Sequence, residues 1–185
     1  MRLPKRPDEP WDSFLKALDE AANETVRLDC IGGFVVTQYY GRDRPTADVD
    51  VIELAPREVG LTLSAFAAQG GTLAQQYSIY MDRVAVASLL EDYEVRLSDM
   101  FPGAYKHLRL MALDPYDLAL SKLERNGRKD REGVLFLART MHLDVRILLE
   151  RYEKEMRWQL GVPQREDLTL TLWIEMIEED RASHE

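Results

Sequence analysis

The sequence holds one cysteine, Cys30, and three scattered histidines, His107, His142 and His184. A single cysteine leaves no internal disulfide and no cysteine-built metal centre, and the histidines show no zinc-ligand spacing. No apolar run approaches the ~20 residues needed to cross a bilayer. The opening Met1-Arg-Leu-Pro-Lys-Arg-Pro has basic residues but no apolar core behind them, so it does not read as a secretory signal. Repeats and low-complexity stretches are missing as well. From these absences the chain reads as cytoplasmic, with no membrane partner. Positive charge is also scarce: 24 lysines and arginines face 33 acidic residues, for a net charge of -9. An excess of that size disfavours non-specific binding to a phosphate backbone.

What is present is the composition of a globular protein. Of 185 residues, 45% are hydrophobic and 31% charged, enough to bury a core without covalent staples. The charge is unevenly spread along the chain. Residues 122–131 carry five basic side chains against two acidic ones, whereas the last eleven residues are dominated by carboxylates. A basic face on an acidic protein is therefore allowed.

Periodicity divides the chain. Trp11, Phe14, Leu15 and Leu18 recur at helical spacing behind Pro10, and a helix is expected to about Asn23. Thr25 to Ile31 alternates apolar and polar residues as a half-buried strand does. Gly32-Gly33 breaks it, and a short helix over Phe34–Tyr40 is expected before a polar loop. A second strand is expected over Asp48–Leu54, and a helix from Pro56 to about Gln69. Residues 73–81 read as a further short helix. Val84–Leu89, Tyr93–Phe101 and Leu108–Leu113 read as strands. From Tyr116 onward the pattern is helical. Apolar stripes run along Val145, Leu148, Leu149, Tyr152 and Met156, and along Leu168, Leu172, Trp173, Met176 and Ile177. Trp158 and Trp173 read as core residues, Cys30 as buried and inert, and Tyr39 and Tyr40 as caps on the core. The fold class that follows is α/β of the α+β kind. A mixed sheet flanked by helices occupies residues 1–113, and a helical lobe packed on it occupies 114–185.

Asp48-Val49-Asp50 is the most informative tripeptide. Residues two apart on a strand share a face, so both carboxylates point to one side while Val49 and Val51 point into the core. Carboxylates held that close repel unless a cation lies between them. A hard divalent ion, Mg²⁺ or Mn²⁺, resolves the conflict and also binds nucleotide phosphates. Fifteen positions before Asp48, Gly32-Gly33 stands at a strand-to-helix junction, where backbone N–H groups can approach a phosphate. Arg42, Arg44 and Thr46 add phosphate-compatible donors just ahead of the pair. Each of these features also has an ordinary structural reading: a solvated edge pair, a turn, an exposed loop.

The stretch from Ile31-Gly32-Gly33-Phe34 through Thr46-Ala-Asp48-Val-Asp50 resembles the signature of the minimal nucleotidyltransferase superfamily. Asp114-Pro-Tyr-Asp117 through Lys122 and Arg125, followed by Arg128-Lys129-Asp130, resembles the second block of its AbiEii-like branch. That branch comprises toxin components of abortive-infection and type IV toxin–antitoxin systems. An uncharacterised neighbouring family of similar length is similar too. The resemblance covers roughly residues 28–140. It implies Asp48 and Asp50 as metal ligands and catalytic residues, Gly32 and Gly33 as the nucleotide cradle, and Arg44 and Thr46 beside it. It further implies Lys122 on the triphosphate and Asp130 as a further acidic active-site residue. Taken alone, Lys122 reads as a surface lysine and Asp130 as a helix-capping carboxylate.

Two departures accompany the resemblance. Gly133 stands where the branch carries another acidic residue, with Glu132 beside it. The third carboxylate of the wider superfamily has its candidate in Glu94, expected on the same strand face as Arg96. The function implied is metal-dependent transfer of a nucleoside monophosphate from an NTP to an acceptor hydroxyl on RNA, tRNA or protein, as the toxin of a pair with an antitoxin partner. Small-molecule nucleotidylation of the aminoglycoside kind and a catalytically degenerate binding module with the same fold are the alternatives.

Overall fold

The computed structural model describes residues 4–84 and 88–184. The chain parts into two compact units: residues 1–86 with 97–113, and residues 87–96 with 114–185. The first holds a five-stranded mixed sheet and its helices, giving an α+β fold.

Helix α1 spans Trp11–Ala21 and β1 spans Val26–Ile31. Helix α2, Gly32–Phe34, runs directly into a π-helical stretch, Val35–Tyr39. Strand β2 is Asp48–Ala55, α3 is Arg57–Phe66, α4 is Thr72–Tyr77 and β3 is Tyr80–Arg83. The unit closes with the two-residue β4, Ser98–Asp99, and β5, Leu108–Ala112. The strand order is β3-β2-β1-β5-β4. Pairing is antiparallel for β1–β2 and β4–β5, and parallel for β1–β5 and β2–β3.

Central position explains the composition of β1. Val26, Leu28 and Cys30 are fully buried beside Leu108, Leu110 and Ala112 of β5 and Val49 and Val51 of β2. The expectation of a half-buried strand is corrected on one point: Asp29 is also fully buried, its charge met by Arg27 at 3.0 Å. An isolated charge there would cost several kcal/mol of desolvation, so the neighbouring guanidinium is what lets the second face be covered. Phe14, Leu15 and Leu18 of α1 are buried as their spacing predicts, and Phe14 meets Tyr77 of α4 edge-on at 6.1 Å.

One carboxylate ties α1 to β5. Asp19 accepts from the backbone N–H groups of Lys106, His107 and Leu108 at 3.0, 2.6 and 2.8 Å. Burial alone would raise its pKa, but these three donors hold the carboxyl below the ordinary aspartate range.

The region between residues 73 and 101 departs most from the sequence reading. Residues 73–81 do not form one helix: α4 stops where Ser78 takes a left-handed φ of 57°, and Met81 lies in β3. The strand expected over 84–89 has its place taken by Tyr80–Arg83; residues 85–87 lie outside the described residues, and 88–90 are not strand. The strand expected over 93–101 is a 3-10 turn, Tyr93–Arg96, followed by β4. Arg96 is the reason. Its guanidinium bonds the buried Asp117 at 2.8 and 3.2 Å and Glu155 at 2.7 and 3.3 Å, contacts that hold residues 88–96 in the helical unit and override the local alternation.

The helical unit contains α5, Pro115–Leu120; α6, Arg128–Thr140; α7, Val145–Arg151, continued by a π-helical turn to Met156; and α8, Gln164–Ala182. Asp117 is its polar centre, bonded also by Arg151 at 2.8 Å, while Arg151 reaches Asp114 at 2.6 Å and lies 4.8 Å from the Tyr116 ring centroid. Of the first expected stripe, Leu148, Tyr152 and Met156 are buried, Val145 is half-buried and Leu149 is exposed. In α8 the phase differs. Leu170, Trp173 and Ile177 are buried and Leu168 and Leu172 are exposed, because the Trp173 indole N–H is drawn to Asn126 Oδ1 at 3.0 Å. Trp158, read as core, is 64% exposed.

Asp19→Ala should destabilise the protein by about 2–3 kcal/mol, the loss of hydrogen bonds to a charged acceptor. Because the folded pKa is depressed, this stability is present above the ordinary aspartate pKa of 3.8 and is lost as pH falls through the lower folded value. Urea unfolding at a series of pH values should show the wild-type advantage constant above that range and shrinking below it.

Candidate active site

The site is built where β1 ends and β2 begins. Ile31 pairs with Asp50 in antiparallel register, so the chain must turn into α2 directly beside a carboxylate. Gly32 makes that turn with φ 76°, and a Cβ there would lie 2.0 Å from Asp50 Oδ2. No side chain fits. A Cβ on Gly33 would lie 2.6 Å from Thr46 Oγ1. The Gly-Gly pair is thus packed against two of the residues that the sequence singled out downstream, and an ordinary turn would need neither fit.

Thr46 in turn donates its hydroxyl to Asp48 Oδ1 at 2.7 Å, which fixes the first carboxylate of the pair. Asp48 and Asp50 are half-buried on one face of β2, while Val49 and Val51 are buried on the other. After Val51 a bulge shifts the register, so that Cys30 faces Val51 but Asp29 faces Glu53. The loop between the π-helical stretch and β2 is pinned at its start by Gly41 N–H to Thr37 O at 3.2 Å and Arg42 N–H to Val36 O at 3.0 Å. Arg44 lies half-buried in this loop and makes no ion pair among the described residues. Tyr39 and Tyr40 face inward, the Tyr40 hydroxyl donating to Leu113 O at 2.8 Å.

Strand β3 supplies a residue that the sequence reading missed. Its parallel register sets Tyr80 beside Asp48 and Asp82 beside Asp50, and neighbours in register present their side chains to the same face. The Tyr80 hydroxyl is pushed above its ordinary pKa, by burial first and then by the carboxylates of Asp48, Asp82 and Asp50. The signal is present in Tyr80-Met-Asp82-Arg, an alternation of the right period, but its first two residues fall in the helix expected over 73–81 and its last two in no expected element. Glu94, the earlier candidate, sits exposed on the 3-10 turn of the helical unit rather than on a strand face.

Lys122 and Asp130 belong to the helical unit. Lys122 lies in the turn after α5 and is only 8% exposed, so the reading of it as a surface lysine does not hold. Asp130, also buried, is the third residue of α6 and accepts from Gly127 N–H at 2.9 Å. Arg125 grips it with Nε at 2.8 Å and a terminal nitrogen at 2.5 Å. Burial opposes its ionisation, yet Arg125, the Gly127 amide and Lys122 together hold its pKa below the ordinary value. Asp130 therefore caps a helix and closes an ion pair within its own unit. Gly133 is buried in α6, and Glu132 pairs with Arg128 on the surface.

Among the described residues no three His, Cys, Asp or Glu side chains converge as a ready-made metal cage. Mg²⁺ does not require one, since it is commonly held by one or two carboxylates with water and substrate phosphates completing its shell. Asp48 and Asp50, with Thr46 orienting the first, fit that mode.

A family model described as "Nucleotidyltransferase of unknown function (DUF6036)" matches residues 12–181. The chain belongs to this nucleotidyltransferase family. No curated protein and no solved structure matches it. The family match spans both units and so includes the glycine pair, the aspartate pair and the Lys122–Asp130 segment.

Gly32→Ala should cost at least about 2 kcal/mol through its left-handed backbone and the overlap with Asp50. Gly103 has a similar φ of 75° but nothing within 4 Å of a Cβ, so Gly103→Ala should cost only about 1–2 kcal/mol, the backbone term. Melting temperatures of the two variants measure the difference.

Proposed function

We propose that this nucleotidyltransferase moves a nucleoside monophosphate from an NTP to an acceptor hydroxyl, using the face formed by Asp48, Asp50 and the Gly32-Gly33 turn. The observation that carries the reading is the close approach of Gly32 to Asp50 and Gly33 to Thr46, which joins the glycine turn to the carboxylate pair in one closely packed corner. In the transfer, the acceptor oxygen bonds the α-phosphorus as the bond to pyrophosphate breaks, and the hydroxyl proton is lost to solvent.

Asp48 and Asp50 would hold Mg²⁺ or Mn²⁺, which when bound offsets charge on the phosphates and lowers the pKa of a coordinated hydroxyl. Thr46 keeps Asp48 in its rotamer, and the Gly32-Gly33 backbone, without Cβ atoms, lets Asp50 and Thr46 pack against the turn. Asp82, exposed on β3 in register with Asp50, is proposed to add negative charge to this face without completing a three-carboxylate cluster. Positioning and electrostatics supply most of the rate in phosphoryl transfer, so a small set of fixed groups suffices. Arg44 is proposed as a donor to the triphosphate. The assignments of Lys122 to the triphosphate and of Asp130 to an active-site role rest on the family resemblance alone. So do an RNA, tRNA or protein acceptor and a toxin role with an antitoxin partner.

A second reading, a binding module with the same fold, is favoured by one observation, the lack of three convergent acidic groups among the described residues. Thermal shift with each NTP, with and without Mg²⁺, separates the two. Ligand at one hundred times Kd adds about 2.7 kcal/mol, and at about 2–4 °C per kcal/mol for this size the melting temperature should rise by roughly 5–10 °C. The rise should need Mg²⁺, vanish in Asp48→Asn and Asp50→Asn, and shrink in Asp82→Asn and Lys122→Ala. Mg²⁺-independent binding would favour the module, and no rise with any NTP would overturn the proposal.

A further inference from the structure

Eight large apolar side chains are exposed among the described residues, and six of them, Ile147, Leu149, Trp158, Val162, Leu168 and Leu172, fall within one short stretch of the helical unit. Scattered exposed leucines need no explanation, but exposed leucines at one helical spacing form a ridge. The best-defined part lies on α8. Leu168 and Leu172, 62% and 52% exposed, stand four residues apart and so share one side of the helix. The same side continues through Glu175 and Glu179, with Glu178 beside them. None of these three carboxylates forms an ion pair among the described residues. Like charges four apart weaken a helix rather than support it, so the ridge is not explained by helix stability.

The ridge is polarised. Its N-terminal end has Arg165, whose side chain is 66% exposed although it reaches Glu166, together with the positive end of the helix dipole. Its C-terminal end holds the unpaired glutamates. A second copy of the same helix laid antiparallel matches this pattern. With the two-fold axis at Leu170, Leu168 lies opposite Leu172 of the second copy, and Arg165 lies opposite its Glu175. The glutamates then approach the positive end of the facing helix, and the two acidic ends point away from each other. A helix of 19 residues is roughly 28 Å long, enough to carry both leucine contacts and both charge contacts on one seam. We propose that the chain forms a two-fold dimer through antiparallel pairing of α8, with Leu168 and Leu172 as its apolar centre and Arg165–Glu175 as its flanking ion pairs. The contact is isologous, so it closes at two copies and does not propagate.

Sedimentation analysis of the full chain over a range of concentrations tests this. Wild type should show a reversible monomer–dimer equilibrium. Leu168→Glu lies on an exposed position and should leave the circular dichroism spectrum unchanged while weakening the dimer by about tenfold or more. Glu175→Arg and Arg165→Glu should each weaken it by several-fold, and combining them should restore affinity to about the wild-type value, because the charges exchange sides. A monomer at every concentration overturns the proposal, as does a dimer indifferent to Leu168→Glu. A dimer broken by Leu168→Glu but not rescued by the charge exchange rejects the antiparallel pairing. None of these outcomes depends on nucleotide transfer.

Discussion

The interaction on which the first unit depends is the approach of Asp50 to Gly32. Strand β1 must leave the sheet where its last residue, Ile31, is paired with Asp50. With any side chain at position 32, either the turn would open or the carboxylate would be displaced. Glycine removes the conflict and takes the positive φ that the turn requires. Once this corner is closed, the remaining geometry has little freedom. Thr46 is placed against Gly33 and can reach Asp48. The bulge after Val51 then returns β2 to register with the buried half of β1.

This dependence explains which parts of the fold were legible in the residues. Helix α1 and strands β1, β2 and β5 carry strong periodicity and bury what it predicts. The glycine and aspartate pairs could be read because both their chemistry and their spacing are unusual. Strands β3 and β4 are edge strands of four and two residues, too short for alternation to stand out from the helix before one and the turn before the other. What fixes β3 is its pairing with β2. Asp82 became visible only through that register, since nothing local distinguishes its carboxylate from a dozen others.

The helical unit shows a different obstacle. In Leu168-Thr-Leu-Thr-Leu172 the leucines recur every second residue, so two helical phases are available, and propensity does not choose between them. Trp173 decides the phase, because a buried indole N–H needs an acceptor and finds one in Asn126. The consequence is that Leu170 goes in and its two neighbours go out. Arg96 acts similarly at longer range. Two carboxylates, Asp117 and Glu155, hold its guanidinium, and a partly buried charge-assisted network of this kind outweighs a few residues of strand propensity. Ion pairs between residues 21 and 59 positions apart leave no periodic trace in the sequence.

Asp130 shows where motif reading and local physics meet. Position three of a helix following glycine is where a carboxylate best satisfies free N–H groups, and Arg125 neutralises it at short range. These contacts account for a buried aspartate without reference to catalysis. Asp48, Asp50 and Asp82 are the opposite case. They lie in register on neighbouring strands, and the Thr46 hydroxyl bonds Asp48. Two like charges on the half-buried face of β2 repel each other, and a bound cation would lower that cost. The contrast sets a carboxylate whose environment is completed within its own unit against the pair proposed to hold a cation.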